Sequence, residues 1–156
     1  AYSLFACTGI LFNHESCLRP ERFVTRKIVS AACRIAAGSD EKLHLGDIDI
    51  QRDWGWAPEY VEAMWLMLQQ DRADDFVIAT GVANSLRSFV ASAFEANDLD
   101  WHQHVVIDPR LMRPSEIAAN RGNPARAEKL LGWKPRHFMT DVVRLMVEAE
   151  RNNSSC

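Results

Sequence analysis

An uninterrupted run of small and apolar residues near the start of the chain, Leu4 to Phe12, most restricts the possible folds. The run ends at Asn13 and His14, a pattern typical of a strand that is buried on both faces of a parallel sheet. A strand of that kind needs helices to cover it. We therefore expect an α/β fold with this strand inside a parallel sheet.

The rest of the chain alternates helical and strand patterns, as an α/β fold requires. Apolar residues recur at helical spacing from Val24 to Ile35, and Gly38 is expected to end that helix. Asn84 or Ser85 can cap a later helix. Short apolar runs predict strands at 43–45, 76–79 and 104–107.

Three further helices are expected. In the first, an apolar face is formed by Val61, Met64, Trp65 and Leu68. The second is capped by Asn123, begins at Pro124 and ends at Gly132, and the third carries Val142, Leu145, Met146 and Ala149.

Composition indicates one ordinary globular domain. The chain has 156 residues, of which 47% are hydrophobic and 25% charged. No apolar run approaches the roughly 20 residues that span a bilayer, and no signal-peptide layout is seen, so we expect a cytoplasmic protein with no membrane partner. The formal net charge of −3 gives no reason to expect nucleic acid. The cysteines are interpreted as free thiols, at positions Cys7, Cys17, Cys33 and Cys156.

Asn13 and His14 follow the first strand, where open parallel sheets bind their ligands. From the residues alone, a turn in which both side chains satisfy backbone groups is the alternative. Arg52 and Asp53 leave a similar choice between a ligand-binding arginine and a surface ion pair. Trp54 and Trp56 are interpreted as core residues.

Three blocks of sequence together resemble the GDP-mannose 4,6-dehydratase family of NADP-dependent extended short-chain dehydrogenases/reductases. They are Gly9 to Ser16, Phe23 to Ile28 and Arg52 to Leu68. The resemblance runs from about Tyr2 to Glu150 but covers only the C-terminal half of the family. The family's Gly-rich loop and Tyr-x-x-x-Lys helix would precede Ala1.

The resemblance implies the C-terminal part of an NAD(P)-binding Rossmann-like fold with a smaller substrate-binding domain. Residues 1–16 and about 72–98 would add strands and helices to the nucleotide-binding sheet. The GDP-sugar domain would comprise about 17–71 and 99–151. Residues 152–156 would form a tail.

The resemblance also implies functional roles around the first strand and helix. Asn13 would contact the sugar nucleotide, while His14 and Arg19 would contact the cofactor NADP, since arginine forks onto phosphate oxygens. Val24 and Lys27 would lie against the guanosine. Cys17 stands where the family commonly has proline.

Two further parts of the substrate site follow from the family pattern. Arg52 would hold the diphosphate, with Asp53 able to orient its guanidinium. Arg113 would bind phosphate or ribose, and Glu116 the ribose hydroxyls or the guanine edge. From sequence alone, Arg113 and Glu116 can equally form a simple ion pair.

The implied activity is conversion of GDP-mannose to GDP-4-keto-6-deoxymannose in a dimeric or tetrameric homo-oligomer. The proton-transfer residues would lie in the other half, so no catalytic residue is assigned. No metal site is expected, since His102 and His104 lack a third ligand. The alternatives are a related GDP-sugar reductase or epimerase, an inactive truncated fragment and a non-catalytic nucleotide-sugar binder.

Overall fold

The structure, a computed structural model, describes residues 4–153. This range contains seven strands, five α-helices and two short 3₁₀ segments. In chain order they are β1 (Thr8–Leu11), β2 (Asn13–Glu15), α1 (Val24–Ala36), β3 (Leu43–Leu45), β4 (Gln51–Trp56), α2 (Ala57–Met67), β5 (Asp75–Ile78), β6 (Ala83–Ser85), α3 (Leu86–Glu95), β7 (Val105–Ile107), α4 (Ala125–Leu131) and α5 (Met139–Asn153), with 3₁₀ turns at Trp101–Gln103 and Pro109–Leu111.

The strands form three small sheets. Strand β1 pairs in parallel with β5, β3 pairs in parallel with β7, and β4 lies between parallel β2 and antiparallel β6. Phe12 still donates its backbone N–H to the Ile78 carbonyl oxygen at 3.0 Å. The chain then passes from the first sheet into the second, so Asn13 and His14 lie on β2 where the two sheets meet.

Two hydrophobic cores hold these elements together. The smaller core packs α2 and α4 on β5, around Tyr60, Phe76 and Trp133. The larger core packs α1, α3 and α5 with β3, around Ile28, Phe89 and neighbouring residues. Each helix thus buries part of its apolar surface in one of the two cores.

The two cores group three helices differently from the expected boundaries. Helix α3, expected with the sheet segment, packs with α1 and α5. Helices α2 and α4, expected in the substrate domain, pack against β5. Which part of the chain serves which ligand stays a prediction.

Strand β1 has the apolar sequence of a strand that is covered on both faces, but its side chains are largely exposed. Ile10 is 51% exposed, and Leu4 before it is 78% exposed. Within residues 4–153 the only strand paired with β1 is β5, so one of its edges is open. The apolar sequence is typical of a strand inside a larger sheet, and an open edge with exposed apolar side chains is a potential contact surface.

Helix α2 also turns the opposite face inward from the one expected. Val61, Trp65 and Leu68 are 60–61% exposed, whereas Tyr60 and Met67 are almost completely buried. Because α2 is apolar nearly all round, periodicity does not distinguish its two faces. The result is an exposed apolar stripe of the kind that usually marks a contact surface.

Several local predictions are confirmed at the helix ends. Ser85 caps α3, since its Oγ accepts the Ser88 N–H at 3.1 Å. Gly132 ends α4 in the left-handed conformation, φ 66°. Helix α5 continues through Asn153, however, so the expected tail is helical there. Residues 154–156, with Cys156, lie outside the described range.

No helix between residues 4 and 153 is both long enough and apolar enough to cross a membrane.

Candidate functional site

A cavity of about 370 Å³ lies where β2, β4 and the first turn of α1 meet the segment after the second 3₁₀ turn. Its wall combines arginines, carboxylates and apolar side chains. The lining residues are Asn13, Glu15, Arg19, Arg22, Phe23, Val24, Thr25, Leu45, Gly46, Asp47, Ile50, Arg52, Trp54, Leu86, Leu111, Arg113 and Glu116.

Six of the eight residues expected to bind ligands are brought together here. Asn13, Arg19 and Val24 approach from β2 and the start of α1. The other three, Arg52, Arg113 and Glu116, come from β4 and the segment that follows the second 3₁₀ turn. Sequence blocks that are far apart along the chain therefore share one cavity, although Arg19 was expected at the cofactor and the other five at the GDP-sugar.

Arg52 is anchored firmly at the edge of this cavity. Its Nη2 donates to Glu116 Oε1 at 2.5 Å, and its Nη1 donates to the Ile117 and Gln51 carbonyl oxygens at 2.7 Å. Arg113 Nη1 lies 3.8 Å from the other carboxylate oxygen of Glu116. The two arginines therefore flank one carboxylate, and their guanidinium groups share its charge.

Asp53 does not orient the Arg52 guanidinium, and that interpretation was wrong. Neighbouring residues on a strand point to opposite faces, and Asp53 is fully buried on the far side of β4. Its Oδ1 accepts the Thr80 N–H at 2.8 Å and the Thr80 hydroxyl at 2.6 Å. Its Oδ2 accepts the N–H groups of Gly81 at 2.9 Å and Gly122 at 3.2 Å. Asp53 thus ties β4 to two loops.

Glu15 and Arg19 form a second charged group in the cavity wall. Glu15 is 1% exposed, accepts the Thr25 hydroxyl at 2.9 Å and lies 3.2 Å from Arg19 Nε. Burial raises the pKa of Glu15, an effect that Arg19 and the Thr25 hydrogen bond partly offset. The Arg19 guanidinium stacks on the Phe23 ring at 3.9 Å. Its position is therefore fixed on two sides.

Two expected site residues lie outside the cavity lining. His14 stacks on Tyr60 with ring centroids 4.8 Å apart, and its Nδ1 lies 2.8 Å from the Phe12 carbonyl oxygen. Lys27 donates from Nζ to the His44 carbonyl oxygen at 2.7 Å. Their expected ligand contacts stay predictions.

Sequence reasoning missed several residues of the cavity wall. Glu15 stands inside the Asn13 to Ser16 block and was not assigned a role. Arg22 and Asp47 are both exposed polar residues, and the sequence pattern around Arg22 predicts only the solvated face of an opening helix. Only the fold brings them to the cavity, because their neighbours on the wall come from distant segments.

The remaining polar and aromatic candidates have structural partners. Trp54 is 2% exposed and packs against Phe89, which confirms its interpretation as a core residue. His102 pairs with Asp100 at 2.8 Å, and His104 stacks on Phe94. In the part of the chain from residue 4 to 153, no group of three or more His, Cys, Asp or Glu is arranged to hold a metal ion.

Comparison with known proteins gives consistent matches. A family model described as GDP-mannose 4,6 dehydratase matches residues 1–146. GDP-mannose 4,6 dehydratase 1 of Arabidopsis thaliana is 49% identical over 150 residues, which is 96% of this chain and 42% of that protein. The Homo sapiens GDP-mannose 4,6 dehydratase is 44% identical over 167 residues, covering 96% and 45%. The chain therefore spans less than half the length of these curated relatives.

Solved structures show the same fold. RMD from Pseudomonas aeruginosa, complexed with NADPH, superposes with a TM-score of 0.84 at 22% identity, covering 93% of this chain and 48% of that one. A dTDP-glucose 4,6-dehydratase from Bacillus anthracis, in complex with NAD, gives 0.83 at 16% identity, covering 99% and 47%. These likenesses confirm the expected Rossmann-like α/β fold class. The chain covers about half of each of these two structures.

Proposed function

The chain belongs to the GDP-mannose 4,6-dehydratase family, and we propose that it supplies the GDP-sugar site of an enzyme converting GDP-mannose to GDP-4-keto-6-deoxymannose. One observation carries this proposal. Arg52 and Arg113 flank Glu116 at the wall of a cavity that also exposes apolar side chains. A nucleoside diphosphate needs this combination of cationic and apolar groups.

The cationic side of the cavity suits the diphosphate. One guanidinium group can bind two phosphate oxygens at once. Arg52 is held in place by two backbone carbonyl groups as well as by Glu116. The first turn of α1 also lines the cavity, through Val24 and Thr25. Backbone N–H groups at a helix start favour anions.

Glu116 suits the ribose. Its carboxylate is held between Arg52 and Arg113, and it retains lone pairs that can accept from neighbouring hydroxyl groups. Asn13 lies on β2 at the same cavity and would contact the sugar nucleotide.

NADP is the proposed cofactor. Two side chains of this chain, those of His14 and Arg19, are suited to bind part of it. His14 keeps Nε2 available because its Nδ1 faces the Phe12 carbonyl oxygen. Arg19 adds a guanidinium that is positioned by Glu15 and Phe23. When bound, NADP supplies hydride transfer to and from the sugar. These two residues would only help to bind and orient it.

The role of this chain in the reaction is positioning. Binding of the non-reacting GDP would fix the mannosyl ring against the cofactor, and binding energy used in this way accelerates the chemical step. We assign no proton-transfer residue among the residues of this chain.

Assembly and location complete the proposal. We propose that the complete protein is a homo-oligomer, a dimer or tetramer, and the exposed stripe of Val61, Trp65 and Leu68 is consistent with additional contacts. A cytoplasmic location is supported by the free thiols of Cys7, Cys17 and Cys33, since reducing compartments keep cysteines unpaired.

Isothermal titration of the chain with GDP-mannose tests the proposed site. We expect saturable binding at one site, with GDP alone competing. A folded chain that shows no heat of binding with either compound would instead favour an inactive fragment.

A further inference from the structure

We propose that Asp47 selects the base of the bound nucleotide by accepting the two adjacent N–H donors of guanine. This inference rests on the proposed function, because it concerns the same cavity. It adds a specificity-determining residue that the family resemblance did not assign.

Three carboxylates line the cavity, and two of them are already engaged. Glu15 is paired with Arg19 and accepts the Thr25 hydroxyl. Glu116 is paired with Arg52. Asp47, by contrast, has no cationic partner among residues 4–153. It is therefore the cavity carboxylate whose charge is not neutralised by an arginine, and it can accept hydrogen bonds from donors on a ligand.

The Asp47 carboxylate is already oriented in the structure. Its Oδ1 accepts the Asp49 N–H at 2.8 Å, which closes a tight turn and leaves Oδ2 and the second lone pair of Oδ1 for a ligand. Leu45 and Ile48 on either side are 3% and 2% exposed. The segment is therefore fixed by buried neighbours, although Asp47 itself is exposed.

Gly46 adds a second constraint on this segment. A Cβ atom at this position would lie 2.5 Å from the Leu111 carbonyl oxygen, so only glycine allows the two backbones to approach so closely. This contact joins the segment that carries Asp47 to the turn that leads to Arg113. Both sides of the cavity therefore hold a defined distance from each other.

Apolar side chains line the same cavity and suit the flat faces of a base. The binding free energy of an aromatic base is most favourable when apolar groups cover its faces and its edge is hydrogen-bonded. These side chains are Phe23, Val24, Leu45, Ile50, Leu86 and Leu111.

The chemistry of the bases makes a carboxylate selective. Guanine presents N1–H and N2–H side by side, so one carboxylate can accept from both. Hypoxanthine presents only N1–H at this edge, and uracil presents one N–H between two carbonyl acceptors. A carboxylate facing these acceptors is repelled, because it can only accept. The cavity should therefore prefer GDP over IDP, and IDP over UDP.

The test is isothermal titration of the full chain with GDP, IDP and UDP, using wild type and Asp47→Asn. Asparagine retains an oxygen for the turn with Asp49, but its amide hydrogens oppose the guanine donors. We expect a preference for GDP over UDP of roughly tenfold or more in wild type, as for other bidentate base contacts, and its loss in Asp47→Asn. The matched control is Asp49→Asn, since Asp49 pairs with Arg87 and does not line the cavity.

The outcomes separate the two proposals. If Asp47→Asn keeps the wild-type preference for GDP, Asp47 is not the selecting residue, and the nucleotide site itself stands. If wild type binds the three diphosphates equally, the same conclusion follows. If folded wild type binds none of them, the proposed function fails and this inference fails with it.

Discussion

Arg52 of β4 and Glu116 of the distant 112–120 segment are joined by a hydrogen bond of 2.5 Å between Nη2 and Oε1. The backbone reinforces this link, because Gln51 donates its N–H to the Ala118 carbonyl oxygen at 2.7 Å and accepts the Asn120 N–H at 3.0 Å. Segments more than sixty residues apart thus form one wall of the cavity. A ligand on this wall would meet arginines that are already positioned, which lowers the entropic cost of binding.

The first prediction concerns Arg52 itself. Arg52→Ala should weaken GDP-mannose binding roughly tenfold to hundredfold, because hydrogen bonds to charged groups contribute about 1.5–3 kcal/mol. Arg52→Lys should recover only part of this loss, since lysine lacks the planar fork. Titration calorimetry measures both. Arg87→Ala is the control, because Arg87 pairs with Asp49 away from the cavity. Equal affinities for Arg52→Ala and wild type would remove Arg52 from the diphosphate site.

A second prediction concerns the buried carboxylate of Asp53. Asp53→Asn replaces one acceptor oxygen by an N–H₂ group that faces backbone N–H donors. We expect a loss of about 2–4 kcal/mol in the free energy of unfolding, because a buried donor would be left without an acceptor. Urea denaturation followed by circular dichroism measures it. The exposed control Asp49→Asn should change stability by less than about 1 kcal/mol, and a similarly small effect at Asp53 would contradict its role as a tie between loops.

The third prediction is a pH dependence at Glu15. Burial raises the pKa of Glu15, so the folded protein retains this proton to a higher pH than the unfolded chain does. The contribution of Glu15 to the free energy of unfolding is therefore greatest below the unfolded pKa. It falls as the pH rises through the folded pKa.

Glu15→Gln cannot titrate and should lack this decrease. Above about pH 4, where the unfolded carboxyl group begins to ionise, the stability of Glu15→Gln relative to wild type should therefore rise with pH until the folded carboxyl group has also ionised. Urea denaturation at several pH values measures this trend, with the exposed Glu21→Gln as control. Parallel curves for Glu15→Gln and wild type would show that burial of Glu15 does not perturb its titration.

The fourth prediction concerns the turn that follows β2. Arg19 donates its N–H to the Ser16 carbonyl oxygen at 3.1 Å, and Leu18 donates its N–H to Ser16 Oγ at 3.2 Å. Cys17 occupies the second position of this turn, where proline is favoured. Cys17→Pro should therefore increase the free energy of unfolding by about 0.4–1 kcal/mol, by restricting the unfolded chain.

Leu18→Pro provides the opposite case for the same turn. It removes the N–H that binds Ser16 Oγ, so the melting temperature should fall, whereas Cys17→Pro should raise it. Differential scanning calorimetry measures both variants. A lower melting temperature for Cys17→Pro would show that the backbone at Cys17 is incompatible with proline.

The sequence predicted the helices, strands and caps better than it predicted which of their faces are buried. Helix α1, the cap at Ser85 and the left-handed Gly132 depend on local patterns, and all were predicted. The burial of β1 and the inward face of α2 depend on which other elements are present. Neither follows from local periodicity, because both segments are apolar on more than one face.

In the candidate site, too, the sequence predicted some residues, whereas others depend on tertiary contacts. Motif resemblance indicated Arg52, Arg113 and Glu116, which the fold brings to one cavity. It did not indicate Asp47, whose place at the cavity depends on the close contact of Gly46 with Leu111. Likewise, Arg52 and Asp53 are adjacent in sequence but serve opposite faces of β4, since strand residues alternate.

A two-dimensional amide NMR spectrum of the chain, titrated with GDP-mannose, tests the proposed site most directly. The proposal predicts a dispersed spectrum in which the amide signals of Asn13, Arg52, Arg113 and Glu116 shift with saturation. Signals from α4 should move little, because α4 packs in the smaller core, whose residues do not line the cavity. A dispersed spectrum that GDP-mannose leaves unchanged, or a collapsed spectrum indifferent to it, would contradict the proposal that this chain carries the GDP-sugar site.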